Sequence, residues 1–237
     1  MLVRHKKPFN FGMLLAVSFI LVLVMIFSPV FPGGKNGLEY SDDLFNKLSK
    51  GSSYFIPRVS DNARKLEGTS FNVVLKMDNP EQVQNAIKIV LAAGAQVGTE
   101  GTQLKISGDL GKMLSKIVRD SDAMYKNEGA KVSEVYSQDE RIVMSTWWKI
   151  LTLMHKELQK DKKIEESNVV NEVIKKALEP SYNFYGIEAQ RVSDKAGTMT
   201  GLLIFYVLYT MWWGYAIFYL FDGLGLSMKK AKVKKEV

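Results

Sequence analysis

The sequence predicts an α+β membrane protein in which two transmembrane helices flank one small external domain. Three observations carry that expectation. Two runs of about twenty residues, one near each end, hold no charge. The basic excess of the chain lies outside those runs. Between them the hydrophobic period alternates between 2 and 3.6, the signatures of strand and helix.

The chain has 237 residues, 24% of them charged, and a formal charge of +7. Arg4, Lys6 and Lys7 supply +3 at the start. Lys229, Lys230, Lys232, Lys234 and Lys235, against Glu236, supply +4 at the end. The rest is neutral, so no basic face is available to a phosphate backbone and nucleic acid is not an expected partner. There is no cysteine, which excludes disulfides, Fe–S clusters, thiolate metal sites and a thiol nucleophile.

Residues 1–10 are read as a basic cytoplasmic N-terminus and 11–31 as the first transmembrane helix. The run from Phe11 to Phe31 matches the roughly 20 apolar residues that a bilayer core requires. A cleaved signal peptide is the competing reading, but its apolar region is only about 7–15 residues long and ends at a small-x-small site. Ser28-Pro29-Val30 offers none. The second transmembrane helix covers 199–224, and 225–237 form a basic cytoplasmic tail. Basic residues gather on the cytoplasmic side of spans, so both termini are expected in the cytoplasm. Residues 33–198 are then expected outside the inner membrane, periplasmic or extracellular. The tail lysines at 229, 230, 232, 234 and 235 are expected lipid head-group contacts.

The second span is rich in aromatics. Phe205, Tyr209, Trp212, Ala216 and Tyr219 share one helical stripe, read as a packing surface for another helix rather than a quinone or haem site. Neither span contains a histidine. Small residues let membrane helices approach closely. Gly12, Ala16 and Gly214, with the Gly197-x-x-x-Gly201 motif, are therefore interaction candidates beside Tyr209, Trp212 and Tyr219.

The external region opens with a helical connector over 32–68. From Thr69, Phe71, Val73, Leu75 and Met77 alternate as a half-buried strand does. Asn79-Pro80-Glu81 starts a helix whose stripe is Val83, Ala86, Ile87, Val90 and Leu91. Gln96-Val97 begins a second strand, Gly98–Gly101 has hairpin chemistry, and Leu104 with Ile106 forms a third. Asp109 caps a second helix through Leu110, Leu114 and Ile117, and Val132–Tyr136 is expected as a fourth strand. The order β-α-β-β-α-β over 69–137 is the ferredoxin-like arrangement, which licenses no activity by itself. Residues 138–198 read as a helical stalk.

A search for chemistry finds none. Asp42-Asp43, Asp120-Ser121-Asp122 and Asp139-Glu140 read as solvated surface, and His155 as a surface helix residue without a metal-spaced partner. No cofactor and no catalytic residue is expected. Trp148 follows Trp147 at about 100° around the helix, so one ring enters the core while the other is a candidate contact hot spot. The expected function is a non-enzymatic two-pass inner-membrane protein whose external domain scaffolds or docks subunits of an envelope complex, with a protein partner or homo-oligomer and the lipid bilayer as its contacts. The alternative is an external small-ligand sensor signalling through a separate membrane partner.

Overall fold

The computed structural model describes residues 3–226, which divide between two units, residues 1–45 with 191–237 and residues 46–190. In the first unit, α1 (Lys6–Phe27) and α10 (Ala196–Leu224) are both long and apolar enough to cross a membrane. At about 1.5 Å per residue, the 29 residues of α10 span roughly 43 Å, more than the ~30 Å of a hydrocarbon core. Ser28 and Pro29 end α1. Gly225, in the left-handed region at φ 80°, ends α10.

Helix α2 (Gly37–Ser52) begins in this unit and continues past Phe45 into the other. Its start is fixed by reciprocal capping. The Asn36 side-chain oxygen accepts from the Leu38 and Glu39 N–H groups, and Glu39 Oε2 accepts from Asn36 N–H at 2.9 Å.

The second unit is built on a three-stranded antiparallel sheet of order β1-β3-β2, with β1 at Ser70–Lys76, β2 at Gln96–Glu100 and β3 at Gln103–Asp109. The alternation in β1 is real: Phe71, Val73 and Leu75 are buried and their neighbours are exposed. Asn79 caps α4 (Pro80–Ala92) by accepting from Gln82 N–H, and Asp109 caps α5 (Leu110–Tyr125) by accepting from Lys112 N–H. Helix α7 (Glu140–Lys160) packs against β1, with α3 (Ile56–Arg64) against α5 and α8 (Ile164–Val173) against α7.

The strand expected at Val132–Tyr136 is instead part of helix α6 (Gly129–Tyr136). Among the described residues the sheet stops at three strands, and the ferredoxin-like order is not completed. Val132 and Tyr136 are both buried, as an i,i+4 pair on one helix face requires. A strand would have placed Glu134 between them on the same face. The residues expected as a stalk also do not stand apart. Trp147, Ile150, Met154, Val170 and Val173 join Ile56, Val59 and Ala63 of α3 in one core with the strands.

Candidate functional site

Asp139 accepts from the N–H groups of Arg141 and Ile142 and so fixes where α7 begins. That phase sends Trp147 into the core at 0% exposure and leaves Trp148 41% exposed. Trp148 lines a recess of about 350 Å³ together with Met144, Ser145, Leu178, Glu179, Tyr182 and Asn183.

Leu178 and Glu179 lie at a local irregularity. After α8 the chain makes one π-helical turn, Ile174–Leu178, before α9 (Glu179–Asn183). Ile174, Ala177 and Leu178 of this turn are buried, while Lys175 and Lys176 are exposed and Glu179 is half-buried. Such turns recur at functional sites. Glu179 Oε1 accepts from Trp148 Nε1 at 3.0 Å and from Lys175 Nζ at 2.8 Å. Partial burial pulls the Glu179 carboxyl upward, but the donors on Lys175 and Trp148 outweigh it and hold the group below its ordinary value. The indole is thus fixed in orientation while the side chain stays partly exposed. A pre-ordered aromatic of this kind, beside an apolar hollow, suits the side chain of a partner protein.

The same helices carry two buried polar clusters. Asp120 is 4% exposed, accepts from the Tyr136 hydroxyl, and pairs with Lys116 Nζ at 3.3 Å. Burial pushes the Asp120 carboxyl up against the opposing pull of the Tyr136 hydroxyl and the Lys116 ammonium, and burial together with the Asp120 charge pushes the Tyr136 hydroxyl up. In the second cluster Lys50, 2% exposed, donates to Asn127 Oδ1 at 2.9 Å, Phe184 O at 3.1 Å and Ile187 O at 2.6 Å. All three acceptors are neutral, and burial lowers the ammonium pKa. Asn127, at φ 62°, also accepts from Gly186 N–H and donates to Ile187 O. Together they fasten residues 184–187 to the domain.

The acidic runs therefore correct in part. Asp120 and Ser121 are buried rather than solvated, while Asp122 stays at the surface between Tyr54 and Lys126. His155 is half-buried, and its Nδ1 lies 2.7 Å from Ser167 Oγ. Ser167 is itself buried, so its hydroxyl is closed to a substrate. Among the described residues no three His, Cys, Asp or Glu side chains converge as a metal site would need.

In the first unit the structure unites most of the expected helix-pair residues. Tyr209 stacks on Phe19 at 4.1 Å and its hydroxyl donates to Phe19 O at 3.3 Å. Trp212 Nε1 donates to Leu15 O at 3.1 Å, and Tyr219 meets Phe11 edge-on. Ala16 and Ala216 are buried. Gly12 lies so close to α10 that an added Cβ would fall 2.6 Å from Leu220 N. Gly197, Gly201 and Gly214 have no neighbour within 4 Å of a built Cβ, so these three do not mark the pair's contact. The residue that does, and that the sequence reading missed, is Gly223, which packs on Phe9. Its signal was the seven-residue spacing from Ala216. The lysines at 229, 230, 232, 234 and 235 lie outside the described residues. Leu178, Glu179 and Tyr182 were also missed, because Trp148, which they join, lies some thirty residues back along the chain.

No protein-family model, no curated protein and no solved structure matches the chain.

Proposed function

We propose that the chain is a non-enzymatic two-pass inner-membrane protein whose extracytoplasmic domain docks or scaffolds subunits of an envelope complex. The observation that carries this reading is Trp148, half-exposed and locked by Glu179 beside an apolar recess. Its supports are the paired apolar helices, which suit insertion in a bilayer, and the basic residues on their outer flanks. Positive-inside bias then puts the second unit outside the cytoplasm. A photo-crosslinking amino acid in place of Trp148, in native membranes, tests the proposal. A single stoichiometric adduct that is absent when the probe replaces exposed Glu165 supports docking at this recess. Equal, diffuse labelling at both positions overturns it.

A further inference from the structure

Strand β1 is an edge strand, since β3 lies between it and β2. Its register runs from Ser70 opposite Asp109 to Lys76 opposite Gln103 without a bulge. Just beyond the two ends, Leu110 N–H donates to Thr69 O at 2.9 Å and Met77 N–H donates to Thr102 O at 2.9 Å. Residues 69 and 77 therefore turn their backbone groups toward β3. Antiparallel ladders alternate, so Phe71, Val73 and Leu75 do the same. The N–H and C=O groups of Ser70, Asn72, Val74 and Lys76 point the other way, out of the sheet. Among the described residues no backbone or side-chain group bonds to them.

Natural proteins rarely leave such an edge bare. They shorten it, bend it with a bulge, or place Pro, Gly or inward charge in it. The opposite edge follows that practice: β2 has five residues, Gly98 at its centre, and Glu100-Gly101 at its end. β1 has seven residues, no Pro, no Gly, no bulge, and its one charge, Lys76, at the end. Val74, at the middle, is 50% exposed. The position outside β1 is also the one that the fourth strand of a ferredoxin-like order would take; among the described residues no strand pairs there, and α7 packs against β1.

We propose that this edge is a pairing site for β1 of a second copy of the chain, antiparallel about a two-fold axis, so that two three-stranded sheets merge into one of six strands. The edge is complementary to itself, which a two-fold interface demands. In the register that overlaps all four outward-facing residues, Asn72 lies opposite Val74 of the second copy and Ser70 lies opposite Lys76. Every pair brings outward N–H against outward C=O, and no like charges oppose one another. One strand pair buries less than the ~1,000 Å² expected of a stable free interface. Two copies held in one membrane gain an effective concentration that offsets this, and that clause alone rests on the membrane reading above.

The test uses the full chain in native membranes. The chain has no cysteine, so Asn72→Cys is a unique thiol, and in the paired register its two copies sit diagonally across the axis, roughly 7 Å apart. A short thiol-specific cross-linker is expected to give a dimer of this chain. Val74→Pro deletes an N–H that β3 does not use and should cut that dimer at least tenfold with the melting temperature unchanged. Val74→Lys keeps the N–H, adds charge at the axis, and should cut it several-fold should the proline variant not fold. No dimer at position 72, a dimer indifferent to both substitutions, or an adduct to a different protein overturns the proposal. Carbonate extraction separately reads the membrane clause: a chain found in the soluble fraction sinks anchorage, and cross-linking in solution then tests the edge alone.

Discussion

Replacing Lys50 with methionine keeps the length of a buried side chain and removes its charge, which isolates what the ammonium contributes. The three bonds it donates are not equivalent in what they leave behind. Asn127 Oδ1 still accepts from Gly186 N–H, and Ile187 O still accepts from Asn127 Nδ2. Only Phe184 O loses its sole side-chain donor. Phe184 O still accepts from Ile187 N–H at 3.1 Å, so no carbonyl is orphaned; losing the charge-assisted bonds costs about 3 kcal/mol, and relief of the buried ammonium returns about 1 kcal/mol of it. The net loss of about 2 kcal/mol corresponds to roughly a 30-fold rise in local opening. Hydrogen exchange on the full chain in micelles reads this at residues 184–190, where Gly186 and Gln190 N–H are bonded. Exchange there should accelerate about 30-fold while the strands change little. The pH dependence carries a second signature. Burial lowers the Lys50 pKa, so between that lowered value and the ordinary lysine value the unfolded chain binds more protons, and stability rises with pH. The methionine variant should lack that rise. Less than a threefold change in exchange, together with an unchanged alkaline slope, would refute the latch.

The tryptophan pair separates core from surface. Trp147→Ala should cost about 3–5 kcal/mol in chemical denaturation, as truncation of a fully buried ring does, whereas Trp148→Ala should cost under about 1 kcal/mol and abolish the photo-adduct partner's binding. In the helix pair, a short thiol-specific cross-link between Phe19→Cys and Tyr209→Cys, whose native rings stack at 4.1 Å, should form in high yield. Adding Gly12→Val, whose Cβ meets the α10 backbone, should cut that yield about tenfold, and adding Gly214→Val should not. For Asp120 the sign runs opposite to Lys50: burial raises its pKa, so stability falls as pH rises from the ordinary carboxylate value through the raised one. Asp120→Asn should flatten that fall in melting curves recorded as pH rises from the ordinary carboxylate range.

Much of this architecture was legible where a single local rule governs. The 2-residue period of Phe71–Met77 and the Asn79-Pro80 and Asp109 caps each depend on neighbours in sequence, and each formed where expected; the hairpin turn expected at Gly98–Gly101 lies later, at Gly101-Thr102, with Gly98–Glu100 inside β2. The helix pair also formed where expected, because Gly12, Ala16, Tyr209, Trp212 and Tyr219 lie on stripes. What failed depends on partners far along the chain. The β-branched run at Val132–Tyr136 has strand propensity, but Tyr136 reaches Asp120 and Trp147 only from a helix. Asp120 reads as surface until Tyr136 and Lys116 close over it. Lys50 reads as a solvated lysine, since its acceptors lie 77 to 137 residues away. The wall of the Trp148 recess was hidden for the same reason.

The central claim is that two spans hold residues 46–190 outside the cytoplasm, and thiol labelling on intact cells tests it directly. Glu165→Cys, exposed in the second unit, should react with an impermeant maleimide, while Lys6→Cys and Lys232→Cys should react only after the membrane is opened. Labelling of all three on intact cells, or of Lys6→Cys and Lys232→Cys but not Glu165→Cys, would contradict the account.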